Sequence, residues 1–181
     1  TLEIKAGGIL RGKKTGDSIA VDGVCLTITS LSKNSFWADV IGETAKLTTL
    51  GELKPGQKVN LEPAMKYGNA LNGHFVSGHV DTTGEILKNK NGAVDVKFHK
   101  KFKRYITKKG SITINGVSLT VTNLSGNIFT VKLIPHTIKN TNLGNLKKND
   151  KVNIEVDILA RYLEQLLNEA KKQPKTRRKK T

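Results

Sequence analysis

The chain alternates apolar and polar residues over short stretches that end at turn signals. The residues on both sides of Asp22-Gly23 and of Asn115-Gly116 follow this alternation and are rich in β-branched side chains, as half-buried strands are. Asp-Gly or Asn-Gly between two such stretches predicts a two-residue hairpin turn of the primed type. Further turn signals follow at Ser32–Ser35, Lys54–Gly56, Ser125–Asn127 and Lys148–Asp150. Short strands with frequent turns predict an all-β protein built from small antiparallel sandwiches or barrels.

One unit of this pattern is used twice. Residues 18–62 reappear at residues 111–155 at an offset of 93 without a gap, and 23 of the 45 positions are identical. Two related units could hold two copies of one ligand. We expect a first unit over residues 1–75, a second over residues 76–157, and a connection from Leu61 to Gly73.

The repeat predicts that the first unit lacks its opening strand. Thr1–Ile4 matches Val94–Lys97, so the counterpart of residues 76–92 would precede Thr1. We expect either a trimmed chain or an open first barrel, and an open barrel would expose a strand edge.

One helix is predicted after the second unit, over residues 158–170. Apolar residues recur there with the i, i+3, i+4, i+7 spacing of an amphipathic helix. This stripe could pack on its own barrel or pair with copies from other subunits. Its members are Ile158, Leu159, Tyr162, Leu163, Leu166, Leu167 and Ala170.

Composition narrows the classes of function. The chain has 181 residues, a formal net charge of +16 and one cysteine, which suits a reducing cytoplasm. It shows no signal peptide at its first residues and no apolar run of membrane-span length. Seven positive charges lie in residues 171–181, which predicts a disordered basic tail. A second basic cluster spans Lys100–Arg104, but aromatic residues make up only 5% of the chain and no nucleic-acid recognition motif is present. Steering of anionic small molecules remains open.

The hairpins carry the candidate chemistry. Around Asp22-Gly23, Ala20 should pair with Cys25 and Ser18 with Thr27, so Ser18, Cys25 and Thr27 share one face while Val24, Leu26 and Ile28 face the core. In the second unit Ser111, Ser118 and Thr120 converge likewise. A single face of this kind could be solvated surface, whereas its duplication favours a ligand surface. The two copies differ where Cys25 is matched by Ser118.

His79 is a candidate acid or base near neutral pH, although it could also be a packed or surface residue. His74 and His79 form no recognisable metal site with one cysteine available. A Cys25/His79 nucleophilic pair is conceivable, but no third orienting residue or elbow motif accompanies it. No phosphate-binding loop or dinucleotide fingerprint occurs.

Several segments together resemble the riboflavin synthase family. They are Gly16–Thr27, Gly73–Asp81, Gly116–Val121, Ile134–Thr137 and Val152–Asp157. The resemblance implies two tandem Greek-key β-barrels and a C-terminal α-helix that assembles a homotrimer. It implies transfer of a four-carbon unit between two molecules of 6,7-dimethyl-8-ribityllumazine, with no metal or redox cofactor. It also makes lumazine synthase a candidate partner. The family's opening Met-Phe-Thr-Gly has no counterpart at Thr1, in line with the expected missing strand.

The resemblance also implies roles for individual residues. His79 would transfer a proton, while Cys25 and Ser18 would orient it or add to the ring. Asp157 matches a family acid, and it could also cap the helix that follows. The first pocket would be made by Cys25, Leu26, Thr27, Asp39, Val40, Ile41, Gly42, Glu43, Thr44, Gly78, His79 and Val80. The second would be made by Lys109, Ser118, Leu119, Thr120, Lys132, Leu133, Ile134, Pro135, His136, Thr137 and Asp157.

Two rival functions remain at this point. The lumazine-binding carrier proteins share the family's fold but lose the reactive groups, and this chain keeps Cys25 and His79. A basic β-barrel that binds nucleic acid would instead show strongly salt-dependent binding to oligonucleotides.

Overall fold

The computed structural model describes residues 1–172, and these form two related β units followed by a helix. The first unit contains β1 (Leu2–Lys5), β2 (Ser18–Val21), β3 (Val24–Leu31), β4 (Ser35–Ala38), α1 (Gly42–Leu47) and β5 (Leu61–Pro63). The second contains β6 (Thr82–Lys90), β7 (Ala93–Lys97), β8 (Ser111–Ile114), β9 (Val117–Ser125), β10 (Ile128–Lys132), α2 (Pro135–Asn140) and β11 (Lys151–Val156). The final helix is α3 (Ile158–Lys172).

The second unit is a closed antiparallel barrel. Its strands follow the order β10-β7-β6-β11-β8-β9, and β9 pairs with β10 to close the ring. Alternate residues of these strands fill the interior, including Ile86, Val96, Ile112, Phe129 and Ile154, all of which are fully buried. The barrel and the all-β fold predicted from the turn spacing are confirmed here.

The first unit is an open sheet of five strands in the order β1-β4-β3-β2-β5. β1 pairs with β4 as β7 pairs with β10, so the match of Thr1–Ile4 to Val94–Lys97 is confirmed. Among the described residues of the first unit, no strand takes the place that β6 takes between β11 and β7. The sheet has its own core, in which Ile19, Ile28 and Phe36 are fully buried.

Both hairpin turns adopt the predicted primed geometry. Asp22 and Gly23 have φ values of 45° and 77°, and Asn115 and Gly116 have values of 47° and 83°. The two turns pack backbone to backbone: a Cβ on Gly23 would lie 2.5 Å from the Gly116 nitrogen. Glycine is required here because only a residue without a side chain permits this approach.

A buried amide network repeats across the interface between the units. The Asn153 side chain donates to the Asp22 carbonyl at 2.9 Å, and the equivalent Asn60 side chain donates to the Asn115 carbonyl at 2.9 Å. Asn60 also donates its backbone N–H to the Asp22 carboxylate at 2.7 Å. Burial raises the pKa of Asp22 to about 6, although hydrogen bonds from Asn60 and Asn142 oppose the rise. The contact between the units is therefore polar, and its amide and carboxylate groups are hydrogen-bonded.

The predicted C-terminal helix is confirmed, and its apolar stripe does not pack on its own barrel. Leu159, Tyr162, Leu163, Leu166 and Leu167 are each between 57% and 62% exposed. The polar side of α3 is held to the second unit by Arg104, which pairs with Glu164 at 2.9 Å. Of the two arrangements that the sequence left open, the described chain therefore excludes burial of the stripe within one subunit.

The basic tail and the absence of a membrane span are the remaining expectations from the sequence. Most of the basic tail predicted over residues 171–181 lies outside the described residues, which end at Lys172. Within the described part of the chain, no helix is both long enough and apolar enough to cross a membrane.

Candidate active site

The predicted polar face of the first hairpin is present. Ser18 lies opposite Thr27, and Ala20 lies opposite Cys25, as the turn position required. Cys25 and Thr27 are exposed, and Cys25 is a free thiol. The intervening Leu26 is 6% exposed and belongs to the core, so only its backbone borders this face.

The segment predicted to complete the first pocket follows β4 and begins α1. Asp39 is exposed and accepts a hydrogen bond from the Thr1 hydroxyl at 2.5 Å. Ile41 precedes α1 and is 66% exposed. The sequence patterns did not predict α1 or its counterpart α2, because each is a helix of only six residues with no apolar periodicity to read.

Residues 73–81 connect the two units and lie against both hairpins. The Gly78 carbonyl accepts a hydrogen bond from the Cys25 backbone N–H at 2.9 Å. Gly78 has a φ of 77°, and a Cβ there would lie 2.7 Å from the Cys25 Cβ. This approach places His79, the next residue, beside the Cys25 hairpin with its side chain exposed.

A buried carboxylate holds the same segment from the other side. Glu155 on β11 is 2% exposed and accepts hydrogen bonds from the Ser77 N–H at 2.8 Å, the Ser77 hydroxyl at 2.5 Å and the Gly78 N–H at 3.0 Å. Sequence reasoning did not select Glu155, because the pattern shows only a glutamate in a strand. Its equivalent in the first unit, Glu62, is exposed.

An ion pair follows immediately after His79. Arg161 on α3 donates to the Asp81 carboxylate at 2.8 Å and to the His79 carbonyl at 3.0 Å. Asp81 also accepts the Val156 N–H at 2.8 Å. Burial raises the pKa of Asp81, and the bonds from Val156 and Arg161 oppose that rise. The backbone of His79 is thus tied to the final strand and to the final helix.

The second hairpin carries a histidine that the sequence did not place there. The His74 ring lies between two hydroxyls, with Nδ1 at 2.7 Å from the Ser118 Oγ and Nε2 at 3.1 Å from the Thr113 Oγ1. Burial lowers the pKa of His74, while Asp157 and Glu155 oppose that change. The face around Ser118 is therefore partly covered by the connecting segment, whereas Cys25 is exposed.

The other residues predicted for the second pocket surround this hairpin in part. Lys109 is exposed and has a φ of 69°, at the position where the first unit has Gly16. Lys132, Ile134 and His136 are exposed at the end of β10 and the start of α2. Leu133 is 8% exposed and packs in the barrel core, so its side chain faces away.

Asp157 has the helix-capping contact that the sequence suggested. Its carboxylate accepts the Leu159 N–H at 3.0 Å at the start of α3. The charge of Asp157 also opposes the fall in the pKa of His74 that burial causes. The capping role is confirmed, and the binding role stays a prediction.

A separate cleft of about 1180 Å³ lies between the two units, over the amide network. Its lining includes Asp22, Asn60, Asn115 and Asn142, and neither Cys25 nor His79 belongs to it. We place the candidate site on the hairpin faces, because the cleft's amides already bond one another. Nowhere in residues 1–172 do three His, Cys, Asp or Glu side chains meet as a metal site would require.

The lumazine binding domain family model matches residues 2–64 and again residues 77–157. Riboflavin synthase of Actinobacillus pleuropneumoniae is 51% identical over 168 residues, covering 91% of this chain and 78% of the relative. Riboflavin synthase of Bacillus subtilis (strain 168) is 46% identical over 173 residues, covering 93% and 80%. A crystal structure of LumP with 6,7-dimethyl-8-(1'-D-ribityl) lumazine has a TM-score of 0.71 at 28% identity, and the match covers 82% of each chain.

The chain belongs to the lumazine-binding domain family, and each of its two units matches that domain once. Within the family it is related to riboflavin synthases over most of its length, which confirms the resemblance carried by its motifs.

Proposed function

We propose that this chain is a transferase that catalyses the riboflavin synthase reaction, the last step of riboflavin biosynthesis. One molecule of 6,7-dimethyl-8-ribityllumazine donates a four-carbon unit to a second, which gives riboflavin and 5-amino-6-(D-ribitylamino)uracil. The observation that carries the proposal is the doubled hairpin face, with Cys25 exposed in one copy and Ser118 at the equivalent place in the other. The identity of 46–51% to two riboflavin synthases supports the assignment of this reaction.

Much of the rate acceleration would come from holding two identical substrates in reacting geometry. Bringing two reactants into one oriented complex replaces a bimolecular encounter with an effectively unimolecular step. Two similar pockets that face each other from neighbouring subunits would stack the two lumazines in opposed orientation. The first pocket comprises Cys25–Thr27, 39–44 and 78–80, and the second comprises Lys109, Ser118–Thr120, 132–137 and Asp157.

His79 is the proposed proton-transfer group, with Cys25 and Ser18 orienting it or adding to the ring. The 7-methyl group of one lumazine must lose a proton, and an imidazole titrates in the range where it can accept one. Changing His79 to Ala should slow turnover and leave lumazine binding largely intact. His99→Ala, at the N-cap of a 3-10 turn on the second barrel, is the matched control and should retain turnover. Unchanged turnover in His79→Ala would remove this residue from the mechanism.

Homotrimer formation through α3 belongs to the same proposal. The exposed apolar stripe of α3 needs a cover in water, and a second and third copy of the helix would supply it. We also place the protein in the cytoplasm, where the single thiol of Cys25 would stay reduced. Lumazine synthase is a further predicted partner, and co-sedimentation of the two purified proteins would test that association.

A lumazine carrier without catalysis is the second candidate. It is favoured by the structural match to LumP bound to the same lumazine. Mixing the protein with the lumazine alone separates the two functions. The enzyme develops the yellow absorbance of riboflavin, whereas a carrier changes only the fluorescence of the bound ligand. The presence of both Cys25 and His79 favours the enzyme.

A further inference from the structure

We propose that Glu155 is a positioning residue that fixes the His79 segment by a clamp from the second barrel. The inference deepens the proposed function and rests on it for the role of His79. It assigns a task to a buried carboxylate that belongs to neither proposed pocket and to neither hairpin face. The clamp consists of Glu155, with Ser77 and Gly78 as its donors, and Arg161, which holds the residues that follow.

The direction of Glu155 follows from the alternation of β11. Val152, Ile154 and Val156 point into the barrel core, so Asn153 and Glu155 point outward, toward the first unit. Asn153 bonds the first hairpin turn, and Glu155 bonds Ser77 and Gly78 in the segment that connects the two units. The outward side chains of β11 therefore contact both the first hairpin turn and the segment that carries His79.

The donor set around Glu155 is matched to a carboxylate. Two backbone N–H groups and one hydroxyl converge on its two oxygens at 2.5–3.0 Å. An ionised carboxylate only accepts hydrogen bonds, and bonds to a charged acceptor are roughly twice as strong as neutral ones. Burying a carboxylate is unfavourable unless its oxygens are satisfied, so these three bonds are what keep Glu155 in place.

Gly78 transmits the position of Glu155 to the first hairpin. Its N–H donates to Glu155, and its carbonyl accepts from Cys25. One peptide further on, Arg161 holds the His79 carbonyl and Asp81. The backbone of His79 thus has a fixed point on each side, while the residue itself is exposed. In the first unit the equivalent Glu62 is exposed, so the repeat pattern alone does not bury this glutamate.

The test replaces Glu155 by Gln, which keeps the size but offers one acceptor oxygen and one NH₂ donor. At one of the three contacts an N–H donor then faces another donor, and residues 77–78 shift away from it. Because misplacement of a catalytic group by about 1 Å can cost on the order of 100-fold, we expect turnover to fall about 10- to 100-fold with KM changed less than about threefold. Glu85→Gln on β6, the neighbouring strand, makes the same charge change and should keep wild-type turnover.

A double-mutant cycle shows whether Glu155 acts through His79. Groups that act as one unit are non-additive, so Glu155→Gln should change turnover little in a His79→Ala background. A loss of the same size in both backgrounds would overturn the positioning role. Should Glu155→Gln fail to fold, Ser77→Ala removes the hydroxyl bond alone, and a smaller loss with the same non-additivity is expected.

Amide hydrogen exchange provides a readout that needs no substrate. The Ser77 and Gly78 amides should be protected in the wild type and should exchange at least about tenfold faster in Glu155→Gln, because they lose their acceptor. Retained protection would refute the clamp. If the wild type forms no riboflavin but these amides behave as expected, the proposed function fails and the clamp stands.

Discussion

Asp22 gives the most quantitative prediction, because its carboxylate is buried at the interface between the units. It is 3% exposed, and desolvation raises its pKa from 3.8 to about 6. The folded state therefore binds the proton more tightly than the unfolded state does. The contribution of Asp22 to the free energy of unfolding therefore falls as pH rises from about 4 to about 6. Above that range the carboxylate is charged in both states, and the full cost of burying its charge destabilises the fold.

The magnitude follows from the pKa difference. A shift from 3.8 to about 6 corresponds to about 3 kcal/mol at 1.36 kcal/mol for each pKa unit. Asp22→Asn removes the titration and installs the residue that the second unit has at the equivalent position, Asn115. The free energy of unfolding of Asp22→Asn minus that of wild type should therefore be larger at pH 7.5 than at pH 4, by about 2.5 kcal/mol, because the unfolded wild type is already partly ionised at pH 4.

Urea unfolding repeated across this pH range measures the difference in free energy between the two proteins. The protein concentration is kept fixed, because the stability of an assembly depends on concentration. Glu3→Gln on the exposed edge strand β1 is the control, and its difference from wild type should stay within about 0.5 kcal/mol. A difference between Asp22→Asn and wild type that does not vary with pH would refute the assignment of the raised pKa to Asp22.

Three further outcomes are expected. Gly78→Ala should lower turnover and reduce the free energy of unfolding by about 1–3 kcal/mol, because the added methyl group clashes with Cys25 and the positive φ is strained for alanine. The control Gly12→Ala has a φ of 75° and open space around it, so thermal unfolding should show the cost of the strain alone. Equal losses of stability in the two variants would contradict the close contact between Gly78 and Cys25. Leu163→Glu combined with Leu166→Glu should give monomers in sedimentation, because both leucines belong to the exposed apolar stripe of α3. The control Gln165→Glu should leave the trimer intact. A monomeric wild type would reject α3 as the element that assembles a trimer. The His74 imidazole should titrate below 6.5 by NMR, and a value at or above 6.5 would contradict its burial between Ser118 and Thr113.

The local features of this fold could be predicted because they are encoded locally. Asp22-Gly23 and Asn115-Gly116 specify their turns within two residues, and the turn position then fixes which hairpin residues lie opposite each other. The offset of 93 identified β1 as the counterpart of β7, although β1 is only four residues long. The period of the stripe in α3 predicted a helix, but periodicity could not show that the stripe stays exposed.

The tertiary part of the site could not be predicted in the same way. Glu155 and Glu62 occupy equivalent strand positions, and only the path of residues 73–81 makes one buried and the other exposed. His74 finds Ser118 across 44 residues of chain, and Arg161 finds Asp81 across 80, so neither contact leaves a local pattern. Such contacts depend on how two units pack, and a period or a turn signal carries no information about that packing.

A crystal structure of the protein with 6,7-dimethyl-8-ribityllumazine would show where the substrate binds. We expect one lumazine ring against the hairpin that bears Cys25, beside His79, and a second against the hairpin that bears Ser118. Lumazine bound in the cleft over Asn60 and Asn142, with both hairpin faces empty, would contradict it.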